Sequence, residues 1–309
     1  MSDFYNPKSI NIGLIGAGPW GRNYISTIAK LDGINLIHLA SSNPDSANHV
    51  GSDCIISDKW QDVVCDKELD GIVIASPPTT HAEIAIEAIN NGLAVLLEKP
   101  MTISVLDAKK ILSTAQDKEA IVMVDHIHLY SSAWEVIRKK IPDLGAIQTI
   151  TGIAGKWGPF PPKTPVLWEW GSHDIAMCIS LMGRVPDKVS LKRIDFKMGG
   201  ETLKLVLDFG DTNAQLKIGN LYQKPMRSFV ISFHHGELTY DDTLDWKNKL
   251  RFKISQKDSS KTFKLNSSKP LERCVIGFRD LILRGTPIWD DVILGTQVTE
   301  TLARLESLT

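Results

Sequence analysis

A glycine-rich turn, Gly16-Ala17-Gly18-Pro19-Trp20-Gly21, follows directly on the apolar run Ile10–Ile15. The spacing is G-x-G-x-x-G, and it falls where an apolar strand opens into the amphipathic stretch Tyr24–Leu31. Few features constrain a chain more. One glycine permits a tight turn, the next lets backbone approach a pyrophosphate, and the third brings helix close to strand. Exposed N–H groups and the positive end of the helix dipole complete an anion site. Glycine turns also serve as plain strand–helix connections, but the strand before this one and the helix after it favour dinucleotide binding. The expected cofactor contacts here are Gly16, Gly18, Pro19, Trp20 and Gly21.

The pattern around this turn repeats. Strands are expected at Ile10–Ile15, Asn35–Ala40, Cys54–Ile56, Gly71–Ala75, Ala94–Leu97 and Ile121–Val124, with helices at Arg22–Leu31, Thr80–Asn91 and Val105–Gln116. Apolar strands separated by helices predict a parallel sheet covered on both faces. After about Asp125 the pattern changes. Leu203, Leu205, Leu207 and Phe209 alternate with more polar neighbours, as do Ala214, Leu216 and Ile218, then Phe229, Ile231 and Phe233, then Leu250, Phe252 and Ile254. Period-two alternation predicts an antiparallel sheet, with turns at Gly210-Asp211 and His235-Gly236. Helices are expected around Leu271–Leu283 and Val292–Leu305. The fold class expected is α/β, with a Rossmann dinucleotide-binding domain over residues 1–124. An α+β domain with an open, predominantly antiparallel sheet is expected over 125–309.

A length of 309 residues suffices for two such domains, and a net charge of −1 gives no broad attraction to nucleic acid or anionic membrane. Met1–Ser9 is polar, so no secretory signal is expected, and no apolar run approaches the ~20 residues a bilayer span needs. Cys54, Cys65, Cys178 and Cys274 are scattered, which fits reduced, mostly buried thiols in a cytoplasmic protein.

A second segment carries chemistry: Glu98-Lys99-Pro100 ends the apolar run Ala94–Leu97. Charged groups at that strand end meet the crevice where doubly wound sheets bind ligands. The glycine turn, Ala75-Ser76-Pro77-Pro78-Thr79-Thr80-His81 and Glu98-Lys99-Pro100 together resemble the Gfo/Idh/MocA family of oxidoreductases, the glucose–fructose oxidoreductase and inositol dehydrogenase group. The resemblance continues through Glu169-Trp170-Gly171-Ser172-His173-Asp174 and covers nearly the whole chain. It implies that Lys99 stands beside the nicotinamide and the reacting hydroxyl, and that His173 serves as acid or base. It also implies a carboxylate four residues before His173, where members often have aspartate and this chain has Glu169. Ser76, Pro77, His81, Glu98 and Lys99 are carried over as cofactor-binding. Substrate contacts are expected from Lys99, His126, His128, Trp168 and His173.

Two departures stand out. His126 keeps a family histidine, but His128 stands where many members have arginine. At the end of the second strand, Ser41-Ser42-Asn43 replaces the aspartate of NAD-specific members. Loss of that carboxylate removes repulsion of a 2′-phosphate, and Ser41 and Ser42 offer donors to it. The expected cofactor is therefore NAD(P), leaning to NADP. No Arg or Lys lies within Ala40–Ala47 to sharpen the choice. Trp20, Trp157, Trp168 and Trp170 cluster near these motifs and suit sugar rings, although such residues are more often core.

The implied activity is hydride transfer between a nicotinamide and a secondary alcohol or ketone of a sugar, cyclitol or sugar derivative. The alternative is a nucleotide-binding regulatory or inactive member of the same family, for which Glu169 and His128 leave room. A metal site built on His126, His128, Glu169 and His173 satisfies no known ligand spacing and is not expected. A homo-oligomer, dimer or tetramer, is expected through one face of the second sheet.

Overall fold

The computed structural model describes residues 9–160, 162, 164–254 and 260–309. The polar N-terminal stretch lies, apart from Ser9, outside the described residues. Two compact units are formed, residues 1–125 with 271–296, and residues 126–270 with 297–309.

The first unit runs β1 (Ile10–Ile15), α1 (Pro19–Ile28), β2 (Ile34–Ala40), β3 (Ile55–Ser57), α2 (Trp60–Val64), β4 (Gly71–Ile74), α3 (His81–Asn90), β5 (Ala94–Glu98), α4 (Val105–Asp117) and β6 (Val122–Asp125). Its six strands lie in the order β3-β2-β1-β4-β5-β6, every pair parallel. Strands β4, β5 and β6 are buried along their whole length, as a sheet covered on both faces requires. Ile72, Ile74, Val95 and Leu97 pack against Ala85, Ala88, Ile111 and Ala115 of α3 and α4. Ser104 starts α4 by accepting a hydrogen bond from the Asp107 amide at 3.2 Å. The strand order reverses between β1 and β4, so the glycine turn at the end of β1 occupies the topological switch point.

The second unit contains α5 (Ser132–Leu144), β7 (Ile147–Trp157), α6 (Val166–Met182), β8 (Lys188–Lys197), β9 (Gly200–Asp208), β10 (Asn213–Gly219), β11 (Leu221–Phe233), β12 (Gly236–Asp241), β13 (Leu250–Ile254) and β14 (Ser260–Thr262). Its eight strands run β14-β13-β12-β11-β7-β10-β9-β8 and are antiparallel except for β7 with β10. Leu203, Leu205, Leu207, Leu216, Ile218, Phe229 and Ile231 are all buried on one face, as their alternation predicts.

The chain closes with α7 (Pro270–Arg284) and α8 (Asp290–Glu306). Chain order assigned residues 271–296 to the second domain, whereas they pack with the first unit. Arg279 of α7 donates to the Asp32 carbonyl at 2.9 Å, tying that helix to the turn before β2. The thiols also depart from expectation. Cys178 and Cys274 are buried, but Cys54 is half-buried and Cys65 exposed. No described helix is long and apolar enough to cross a membrane.

Candidate active site

The three glycines of the turn are each needed for a different reason. Gly16 has φ of +101°, and a Cβ there would lie 2.7 Å from the Ala75 carbonyl oxygen. At Gly21 a Cβ would collide with the Gly16 carbonyl, so α1 packs onto the turn only because the side chain is missing. At Gly18 a Cβ would meet nothing within 4 Å. That open space is a cradle at the start of α1, where Pro19 occupies the first turn and no side chain caps the free amides. A dinucleotide pyrophosphate fits this arrangement, with Gly18 as the point of close backbone approach.

Around the turn, the loops after β2 and β4 are internally braced. The Ser41 hydroxyl meets that of Ser46 at 2.7 Å and accepts from the Asn43 amide at 3.2 Å. The Asn43 side chain in turn accepts from the Asp45 amide. Ser42 is exposed, and Asp45 places a carboxylate in the same short turn. After β4, the Ser76 and Thr80 hydroxyls are paired at 2.7 Å. His81 is fully buried, with one ring nitrogen 2.9 Å from the Ser76 carbonyl and the other 3.2 Å from that of Met101. Burial holds its pKa below the usual histidine value. His81, expected among the cofactor contacts, is thus a staple between two loops rather than a group presented to solvent.

At the end of β5, Lys99 is 7% exposed, and its peptide bond to Pro100 is cis. Its amide donates to Glu98 Oε2 at 3.1 Å. Glu98 and Asp125 are register partners on β5 and β6, so two carboxylates stand side by side in the interior. Tyr24 from α1 donates to Asp125 Oδ2 at 2.6 Å, and the buried Cys274 thiol of α7 bonds to Asp125 as well. Burial, then the charge of Asp125, pushes Glu98 up to about 8, with the Lys99 ammonium opposing the shift. Burial likewise raises Asp125 to about 6, held back by Tyr24, Cys274 and Lys99. Burial thus disfavours ionisation of both carboxyls, and the charge of Asp125 adds to the shift of Glu98. Burial and these carboxylates keep Tyr24 a phenol and Cys274 a thiol.

In the second unit, α6 begins at Val166, so His173 lies two turns into the helix. Glu169 and His173 are one helical turn apart and share a face. His173 is 9% exposed. The His128 ring lies edge-on to it, with centroids 5.0 Å apart and planes at 77°. Asp174, the next residue, forms a buried ion pair with Arg227 of β11 at 2.8 Å. Trp168, expected at the substrate, is 2% exposed and donates its indole N–H to Glu306 at 2.8 Å; it is core. His126 is also buried, whereas Trp157 is exposed and stacks edge-on with Phe160. Among the described residues no group of three or more His, Cys, Asp or Glu is arranged to hold a metal ion.

Tyr24, Asp125, Cys274, Tyr240 and Asp242 were not singled out from sequence. Tyr24 carried a signal, since it lies three residues beyond Gly21 on the buried face of α1. Asp125 carried another, as an acid closing an apolar strand. Cys274, Tyr240 and Asp242 gave none, because only the tertiary fold brings them to their partners.

A doubly wound sheet with a pyrophosphate cradle at its switch point, followed by a largely antiparallel sheet unit, defines a class of two-unit nucleotide-binding proteins. Residues 10–126 match the family model described as an oxidoreductase family with an NAD-binding Rossmann fold. A crystal structure from Magnetospirillum magnetotacticum MS-1 is 35% identical, with a TM-score of 0.89, and the match covers 96% of this chain and 99% of that one. The chain belongs to the Gfo/Idh/MocA family of oxidoreductases. Curated relatives match over part of their length. An NADP⁺-linked scyllo-inositol 2-dehydrogenase from Bacillus subtilis is 22% identical over 69% of this chain and 63% of its own. A UDP-N-acetylglucosamine 3-dehydrogenase from Acidithiobacillus ferrooxidans is 25% identical over 71% and 70%. For a 4-carboxy-2-hydroxymuconate-6-semialdehyde dehydrogenase from Sphingobium, 25% identical, the match spans 43% of each chain.

Proposed function

We propose that this protein is an NAD(P)-dependent dehydrogenase acting on a secondary alcohol or ketone of a sugar, cyclitol or sugar derivative. The observation that carries the reading is the placing of two features at strand ends of one parallel sheet. The open cradle at Gly18 follows β1, and Glu98-Lys99-Pro100 closes β5 two strands away. Ligands of doubly wound sheets bind outside those ends. The names of the inositol and UDP-N-acetylglucosamine relatives support the substrate class.

Bound nicotinamide supplies or accepts the hydride. The chain's own residues handle the proton and the charge. His173 takes the hydroxyl proton as the alcohol is oxidised and returns it in the reverse direction. The role proposed for Lys99 is to stabilise negative charge that develops during the reaction. Glu169, one turn before His173, orients its ring.

For the cofactor, we infer that both NAD and NADP are accepted, with a lean to NADP from the missing carboxylate at Ser41. The internal bonds of the Ser41 hydroxyl and the nearby Asp45 limit that lean. Titration of the protein with NADH and NADPH tests it, and NADH binding a hundredfold tighter contradicts it. A panel of inositols, sugars and sugar nucleotides, each with both oxidised cofactors, tests the substrate class. Turnover of at least one polyol or sugar is expected, and brisk reduction of cyclic imines with none of these turned over contradicts it.

A further inference from the structure

The residue that departs most from the family pattern, His128, sits against the proposed acid–base histidine and is itself gripped from the other side. Its Nδ1 is 3.0 Å from the Tyr240 hydroxyl at the end of β12. Tyr240 donates to Asp242 Oδ1 at 3.0 Å, and Lys249 donates to the same oxygen at 2.5 Å. A carboxylate held by an ammonium only accepts, so the single phenolic proton points to Asp242. The Tyr240 oxygen is then an acceptor, and His128 must be the donor. The chain of bonds therefore fixes the tautomer of His128 with its proton on Nδ1.

The same pair of strands, β11 and β12, holds α6 at the neighbouring residue. The Asp242 amide donates to the Arg227 carbonyl at 2.9 Å, and the Arg227 guanidinium pairs with buried Asp174. Consecutive residues of α6, His173 and Asp174, are thus met by two arms from β11 and the β12–β13 turn. One arm is a buried ion pair, and the other is His128.

We propose that His128 is a positioning residue for His173, locked by Tyr240, Asp242 and Lys249, and that its ring fixes the orientation of the His173 ring. This rests on the reading of His173 as the acid–base group. Asp242 Oδ2, 3.8 Å from His128 Nδ1, is a second acceptor beside the same ring nitrogen.

Histidine-labelled full-length protein, studied by long-range ¹H–¹⁵N spectroscopy without any ligand, tests this directly. Wild type should show His128 protonated on Nδ1 at pH 8, and Tyr240→Phe should release it toward the Nε2–H form. With a turned-over substrate, His128→Gln and Tyr240→Phe should each lower kcat by about tenfold or more while KM holds, as expected when an acid–base group is misplaced. An Nε2–H tautomer in wild type, or an unchanged kcat in His128→Gln, overturns the proposal. If His128→Gln fails to fold, as judged by its melting curve, the wild-type and Tyr240→Phe tautomers decide. Unimpaired turnover by His173→Ala would overturn the catalytic reading instead, and is scored separately from the spectra.

Discussion

Two buried residues give the sharpest consequences at the scale of single side chains. Asp125 and Glu98 have folded-state pKa values raised above their ordinary ones, to about 6 and about 8. A raised carboxyl pKa means the native state binds protons more tightly than the unfolded chain. The resulting stability is present in acid and lost as pH rises through the folded values. Between about pH 4 and 8 the wild type should lose on the order of a few kcal/mol from this pair. Asp125→Asn keeps an acceptor for Tyr24 but removes one titration and its repulsion of Glu98. Urea unfolding at pH 5 and pH 8 should therefore show a smaller fall for the variant, and equal falls would contradict the buried-pair account. Gly18 offers a cleaner separation of fold from binding. Its φ of −65° suits any L-residue and its surroundings are open. Gly18→Val should leave the melting temperature unchanged while weakening NADH binding about tenfold or more, equivalent to ~1.4 kcal/mol. A valine tolerated by NADH would move the pyrophosphate elsewhere. Glycine spacing made this position legible in the sequence, whereas Trp168 misled, because an indole near a motif carries no sign of which way it faces.

Among the elements, α6 shows what periodicity can and cannot reveal. Twelve of its residues are buried, among them Val166, Leu167, Trp168 and the run Gly171–Ile179. A helix buried on nearly every side has no polar stripe, so the alternation that marked α3 and α4 is missing from it. The strands tell the same story in reverse. β9, β10 and β11 were legible because each buries one face, while β8 is mostly exposed and has little inward pattern to read. β7 is interrupted by Gly152 and Gly155, which weaken any strand signal. The grip on α6 has a measurable cost when broken. Asp174→Ala leaves the Arg227 guanidinium, 8% exposed, without its carboxylate. Removing one partner of a buried pair costs about 3–5 kcal/mol, so urea unfolding of Asp174→Ala should show a loss of that order. A loss well under 1 kcal/mol would mean water reaches the pair.

At the scale of the whole molecule, the parallel-to-antiparallel change near Asp125 was readable from side-chain period alone. The return of residues 271–296 to the first unit was not. Amphipathic helices announce that they pack, but their pattern does not name the surface they pack on. We expect the second sheet to mediate self-association; β8 exposes Ile194 and Phe196, and the turn that follows it exposes Met198, the latter two by 63% and 67%. Sedimentation at micromolar concentration should give a species larger than a monomer, and a monomer alone would contradict this. The central claim is that Lys99 and His173 carry the chemistry of a nicotinamide-dependent oxidation. It is tested most directly by comparing turnover of a verified sugar or cyclitol by wild type, Lys99→Ala and His173→Ala, with NADH binding measured on the same samples. His173→Ala should lose about two to four powers of ten in turnover with NADH binding intact, the usual worth of a general acid–base group. Lys99→Ala should lose turnover as well, with weaker substrate binding. Wild-type rates in both variants would contradict the account.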